Sequence, residues 1–283
     1  MFIDPYTGEV KKVWNEDEDF FHTIVHLHYN LLLPMEIGQP IVASATLIFV
    51  IMLISGLVLW WPKNKSAAKQ RFSIKWKARW RRLNYDLHNV LGFYMMGIGL
   101  LLALTGLVWG FQWFNNSLYY VTGGRETQMV MPFSEVNMQS AKIDKPMDVL
   151  FNDLYAKAGK DEGLSFSPPL TDSAYISAGI NHRPGTYYNQ DTYNYDQYTL
   201  KPLPATSSYE GAYADAKFAD KLRRMNYDLH VGAIAGLPGK IIMFLASLIC
   251  ATMPVTGIYI WYGRKFKSKK KPVTQKVPKL AEA

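Results

Sequence analysis

The chain has 283 residues, a net charge of +8 and a mean hydropathy of −0.08. That average conceals a partition into very apolar and very polar blocks, so composition is informative only segment by segment. A single cysteine, Cys250, excludes a disulfide framework within one chain, and the excess positive charge lies in two short blocks, which points to membrane orientation rather than to nucleic acid as a partner.

In chain order, residues 1–15 contain two short strand-like runs around Asp4-Pro5-Tyr6-Thr7-Gly8, a turn sequence. Such a hairpin is too small to be stable alone, so it is expected to be the remnant of a larger unit. Residues 16–38 begin with the acidic run Glu16 to Asp19, a helix start. They continue with aromatic, aliphatic and His residues at helical spacing to Pro34, which predicts an amphipathic helix at a membrane surface. Residues 39–62 contain Ile41 to Trp61, 21 residues without a charge and ending in a Trp pair, long enough to span a bilayer.

Residues 63–86 form a basic loop with nine Lys or Arg between Lys63 and Arg82 and no acid. Residues 87–114 contain a second uncharged span, Asn89 to Phe114. Residues 115–222 are polar. Pro132 to Lys142 reads as extended or loop, Met147 to Ala158 as helix, and Leu164 to Phe166, Ala174 to Ile180 and Thr186 to Tyr195 as strands, a small α+β domain. Residues 223–263 hold an interfacial segment and a third span, Ile241 to Tyr262. Residues 264–283 are a tail; Gly263 to Lys279 carries eight Lys or Arg and no acid. Three crossings put both basic blocks on the cytoplasmic side and the acid-bearing segments on the other. The fold class is thus a membrane α-helical bundle with a small α+β domain outside.

Two repeats organise this layout. Arg81-Arg82-Leu83-Asn84-Tyr85-Asp86-Leu87-His88 returns as Arg223-Arg224-Met225-Asn226-Tyr227-Asp228-Leu229-His230, and each copy precedes an apolar span. His26-Leu27-His28 is a degenerate third copy. Tyr195-Asp196-Gln197-Tyr198-Thr199 echoes Ile3-Asp4-Pro5-Tyr6-Thr7, which marks residues 1–15 as the tail of a truncated copy of the α+β unit. The spans also share Ser55-Gly56, Thr105-Gly106 and Thr256-Gly257 towards their far ends, small pairs best read as helix packing positions.

Of the six histidines, His28 and His230 fall at equivalent repeat positions on the outer side. Two neutral imidazoles facing each other across a bundle supply the two axial ligands of a six-coordinate haem. Arg223 and Arg224, one or two turns from His230, suit the haem propionates. The bland alternative is that a membrane-edge His is a polar flank and an Arg pair a snorkelling anchor. Against it, the same octapeptide recurs on opposite membrane faces, whose charge preferences differ. His88 has no partner histidine on its side; Met95 and Met96 are weak alternatives, and a Leu-His on an upstream helix is the expected partner, so an inner haem site is half present. His22 and His26 are spaced for metal binding but lack a third ligand, so polar interfacial residues are favoured. His182 is expected to be structural. The tyrosine-rich Tyr187 to Tyr198 is expected to cover a sheet face, with a platform for an aromatic chelate as the sharper alternative.

Asp4-Pro5-Tyr6-Thr7-Gly8-Glu9-Val10, Leu27-His28 with Leu31-Leu32-Leu33, and Ser55-Gly56-Leu57-Val58-Leu59-Trp60-Trp61-Pro62, together with the Arg-Arg…Asp-Leu-His repeats, resemble the PepSY-associated transmembrane family over nearly the whole chain. The resemblance implies a multi-pass protein of the bacterial inner membrane with four helices and periplasmic PepSY-type α+β domains. It also implies kinship with haem-bearing reductases of ferric siderophores. It carries axial histidines over to His28, His88 and His230, and it makes this chain N-terminally truncated. The expected function is a haem b electron-transfer protein of iron uptake. A cytoplasmic-side donor would feed the His88 end, and a ferric siderophore or ferric iron would accept electrons at the periplasmic domain; the catalytic residues are unassigned. The alternative is a non-catalytic, membrane-anchored PepSY module that binds or regulates a peptidase or transporter. A transporter is disfavoured, because no charge lies within the clean spans and three helices make a poor pathway.

Overall fold

The computed structural model describes residues 2–4, 7–15, 18–125, 133–134 and 143–266. Of the expected loop from Pro132 to Lys142, Phe133 and Ser134 are described and the rest lies outside the described residues, as do most of the basic tail, Pro5, Tyr6, Glu16 and Asp17. The chain divides into a first unit, Met1–Trp60 with Met96–Ala246, and a second, Trp61–Met95 with Ser247–Ala283.

Three helices are long and apolar enough to cross a membrane. They are α2 (Met35–Trp60), α4 (Trp80–Gly110) and the segment Ala233–Lys265, whose α-helical part is α8 (Gly236–Lys265). Their apolar side chains are largely turned outward, Ile51, Met52, Val58 and Leu59 among them, an arrangement that only hydrocarbon would solvate. With a three-stranded antiparallel sheet alongside, this is a membrane helical bundle carrying an α+β domain.

In the first unit, β1 (Phe2–Ile3) and β2 (Val10–Lys12) form a small hairpin. Helix α1 (Phe20–Asn30) is capped by Asp19, whose carboxylate accepts the His22 N–H at 2.9 Å. It ends in two left-handed residues, Leu31 (φ 58) and Leu32 (φ 59). The chain then enters α2 at Met35, six residues before the apolar run that the sequence offers as its start. Hydropathy marks the hydrocarbon-facing part of a helix and not its first turn. Here Glu36 and Gln39 occupy the polar opening turns, and Pro40 is tolerated near the start. Gly38 is the close approach at this corner: a Cβ there would collide with the backbone carbonyl of Asn30.

Val50, Ala103 and Leu107 form the buried seam between α2 and α4 in this unit. Gln39 donates to the Trp109 carbonyl at 3.0 Å. At Phe111 the backbone turns extended, which ends α4 and starts α5 (Gln112–Val121), a helix absent from the sequence-based expectation. Helix α6 (Pro146–Lys157) packs Leu150 and Leu154 on Ile176 and Ala178 of the sheet β3-β4-β5 (Gly163–Ser167, Tyr175–Asn181, Gln190–Asp196). Because strand side chains alternate, Tyr175 and Ser177 on β4 and Thr192 and Asn194 on β5 face away from α6. Strand β5 begins four residues later than the expected Thr186. The N–H groups of Tyr187 and Tyr188 are taken by the Asp228 carboxylate (2.8–3.1 Å) instead of a ladder.

Helix α7 (Phe218–Val231) carries the second octapeptide and stops at Gly232 (φ 77); a 3-10 turn, Ala233–Ala235, leads into α8. In the second unit, the basic loop forms a short helix, α3 (Lys65–Arg71), and Phe72 packs edge-on to Phe93 at 4.9 Å. The first octapeptide here lies inside α4 with no break before the span.

Candidate functional site: two histidine sockets

The two octapeptides make matching contacts through their Asn and His side chains. In the first unit, His230 Nδ1 lies 2.8 Å from Thr105 Oγ1. The Thr105 hydroxyl already donates within α4, to the carbonyls of Leu101 (2.7 Å) and Leu102 (3.0 Å). Its oxygen therefore accepts, and the His230 proton sits on Nδ1. The Asn226 amide donates to the Thr105 carbonyl at 3.2 Å. Asp228, fully buried, holds the Tyr187–Tyr188 backbone.

In the second unit, His88 Nδ1 lies 2.8 Å from Thr256 Oγ1, and that hydroxyl donates to Thr252 (3.0 Å) and Met253 (3.1 Å). The Asn84 amide reaches the Thr256 carbonyl at 3.4 Å. Asp86, 3 % exposed, accepts the Lys75 N–H at 3.2 Å and pairs with Arg82 at 2.9 Å. Each imidazole lies over the glycine after its threonine: Cε1 of His230 and of His88 stand 3.6 and 3.5 Å from where a Cβ of Gly106 or Gly257 would be.

Both sockets leave the Nε2 lone pair as the free ligand atom, because the second nitrogen of a neutral imidazole becomes an acceptor once the first holds the proton. Burial, reinforced by the neighbouring His28, pushes the His230 pKa down to about 4, so this imidazole is neutral at physiological pH. The Thr-Gly pairs, read from the sequence as packing positions, also supply the hydroxyls that meet His230 and His88. Their recurrence was visible; what they hold was not.

The structure brings His28, from the last turn of α1, against His230. Their ring centroids are 6.1 Å apart and their planes 45° apart. Trp109 stands edge-on to His230 at 5.3 Å. His88 shares its unit with no other histidine of the sequence. His22 and His26 bond to each other at 3.2 Å through their Nε2 atoms, and Tyr29 joins His26 at 3.0 Å, an aromatic polar cluster on α1. His182 bridges Glu162 (2.6 Å) and Asp191 (3.0 Å) within the sheet domain. Among the described residues, no group of three or more His, Cys, Asp or Glu is placed to hold a metal ion by itself.

The two arginines of the second octapeptide diverge. The Arg224 guanidinium donates to the carbonyls of Ser208, Gln190, Gly211 and Glu210 at 2.6–3.3 Å, on the sheet-domain side of α7. Arg223 stacks over the Tyr119 ring at 3.7 Å and donates to the Ser208 hydroxyl at 3.4 Å, and its buried Nε has no hydrogen-bond partner among the described residues. It lines an apolar cleft of about 370 Å³ between α4, α5 and α7, together with Thr105 and Asn226.

A second cleft, about 520 Å³, lies on the sheet face opposite α6. Tyr175, Tyr187, Tyr188, Tyr209 and Tyr227 line it. Of the tyrosines in the expected sheet cover, Tyr187 and Tyr188 belong to this cleft, and Tyr195 packs on the α6 side.

The donor set fits a haem held by two histidines. His28 and His230, with ring centroids 6.1 Å apart, are the residues that would hold the iron of a haem. A porphyrin supplies the remaining four ligands, so no larger protein cluster is needed. None of the curated proteins compared with this chain matches it. The family model described as the PepSY-associated TM region matches residues 1–264, and the chain belongs to that family.

Proposed function

We propose that this protein is a haem b electron-transfer protein of the bacterial inner membrane that reduces ferric iron or a ferric siderophore in the periplasm. The observation that supports it most is the His28–His230 pair at 6.1 Å, with the His230 proton fixed on Nδ1 by Thr105. When bound, haem supplies one-electron chemistry at an iron whose potential depends on axial ligands, hydrogen bonding and burial.

The chain's own residues do the rest. Thr105 orients His230 and strengthens it as a ligand by accepting its Nδ1 proton. The apolar seam of Val50, Ala103 and Leu107 keeps water from that end of the bundle. Arg223 retains an unused buried donor suited to a propionate, whereas the Arg224 guanidinium is engaged with the sheet domain. The proposed topology puts the basic loop and tail in the cytoplasm, where an electron donor would meet the His88 end. His88 is oriented by Thr256 in the same way, so a second haem there would take its other axial ligand from a segment outside the described residues.

The test is the absorption spectrum of the detergent-purified protein, oxidised and dithionite-reduced. Sharp reduced α and β bands, abolished by His28→Ala and by His230→Ala, are expected. A featureless spectrum from folded protein produced with ample haem would overturn the electron-transfer reading in favour of a membrane-anchored PepSY binding module.

A further inference from the structure

The tyrosine cleft on the sheet domain contains no nucleophile–base pair, and its residues suit recognition rather than bond-breaking. Its volume, about 520 Å³, lies within the usual range for small-molecule sites, about 300–1,000 Å³. Five tyrosines supply flat, rigid faces that stack, with hydroxyls that bond to oxygen-rich ligands at little entropic cost.

Arg224 stands at its base, 7 % exposed. Its partners are backbone carbonyls, and it forms no ion pair among the described residues. Its positive charge is hydrogen-bonded to carbonyls and feels Asp220 and Asp191 without an ion pair to either, and a buried cation held in that way favours an anionic ligand. The carboxylate in the cleft, Glu210, is tied by one oxygen to the Thr206 N–H at 2.6 Å. The cleft thus offers aromatic stacking with one fixed cation and one tethered anion.

Its position supplies the second argument. Tyr227 lines the cleft and lies one turn before His230 on α7. Its ring meets Tyr187 at 4.9 Å and Trp109 at 6.4 Å, and Trp109 meets His230 at 5.3 Å. Packed rings therefore run without a gap from the cleft to the axial histidine.

We infer that this cleft binds the electron acceptor, a ferric chelate of the catecholate class, with its aromatic rings stacked on the tyrosines and its anionic oxygens towards Arg224. The inference rests on the proposed electron-transfer function. A reduced haem held by His28 and His230 would supply the single electron that takes the bound ferric centre to ferrous, and would itself be left oxidised. No bond to the protein forms or breaks. Trp109 and Tyr227 act as positioning residues, since they close the distance without touching both reacting centres.

The test uses the gallium(III) complex of 2,3-dihydroxybenzoate, a redox-inert probe, titrated calorimetrically into the full detergent-solubilised chain. Saturable binding is expected, weakened at least about tenfold by Tyr209→Ala and by Tyr187→Ala. Both side chains are more than half exposed, so neither substitution threatens the fold. The haem spectrum should be unchanged in both variants. Absence of binding, equal affinity in both variants, or equal affinity for a gallium trihydroxamate would overturn the assignment. A chain that binds haem but not the probe loses this inference and keeps the proposed function. A chain that binds the probe through Tyr209 and Tyr187 without haem keeps the chelate site and loses the electron path.

Discussion

At the scale of the residue, the protein turns on one hydrogen bond made twice. A histidine can present either nitrogen, and a threonine whose hydroxyl is already committed to its own helix can only accept. That pairing fixes Nε2 as the free atom in both sockets. Thr105→Val keeps the side-chain shape and removes the acceptor. Under the proposed function, haem affinity at the His28–His230 pair is expected to fall about 10- to 100-fold, the usual cost of losing an outer hydrogen bond to a ligating histidine. Thr105→Ser, which keeps the hydroxyl, should restore it. The rate of haem transfer to apomyoglobin measures this directly, and wild-type retention by the valine variant would show that Thr105 does not orient His230. The histidines themselves were legible in the sequence, because the octapeptide repeats. Their threonine partners were not: Thr105 lies 125 positions from His230, and a Thr-Gly pair in a span has a sufficient explanation in helix packing.

At the scale of the element, hydropathy located the spans but not the corners between helices. The α1–α2 corner, the Phe111 break and the Gly232 break are set by local backbone conformation and close approach, to which an apolar count is blind. The α1–α2 corner matters most, because it aims His28. Two consecutive non-glycine residues in the left-handed region, Leu31 and Leu32, make it an unfavourable turn, held by the Asn30 side chain accepting the Leu32 N–H at 3.1 Å and by the contact of Gly38 with the Asn30 carbonyl. Gly38→Ala forces α1 away from α2, with an expected cost of about 1–3 kcal/mol and a loss of haem resembling that of His28→Ala. Gly56→Ala is the matched control, since a Cβ at Gly56 meets nothing within 4 Å; there a helix-interior alanine should be neutral or stabilising by up to about 1 kcal/mol. Thermal midpoints and haem-to-protein ratios of the two variants separate the cases. An unchanged midpoint and haem content for Gly38→Ala would mean that the corner relaxes freely.

At the scale of the whole molecule, the bundle draws stability from the bilayer, and the sheet domain must hold itself together in water. Its core is small: Leu150, Leu154, Ile176 and Ala178 are the buried centre. Polar ties therefore carry a visible share, and the His182 bridge is the one built on a histidine. The Glu162 hydrogen bond first, and the Asp191 one second, raise the His182 pKa above its ordinary 6.5. The same bond to His182, aided by the Gly159 N–H, lowers the Glu162 pKa below its ordinary 4.5. A raised histidine contributes fully below 6.5 and loses its contribution as pH rises through the folded value. A lowered carboxyl contributes fully above 4.5 and loses its contribution as pH falls through the folded value. The coupling is thus complete only between those two limits. His182→Gln removes it at every pH. The difference in thermal midpoint between wild type and His182→Gln should form a plateau from pH 4.5 to 6.5 and shrink on both sides of it. Because the bridge is partly exposed, the plateau should also fall as salt is added. A midpoint difference that stays constant from pH 5.5 to 9 would show that His182 acts through packing, with its charge irrelevant to how the domain is held.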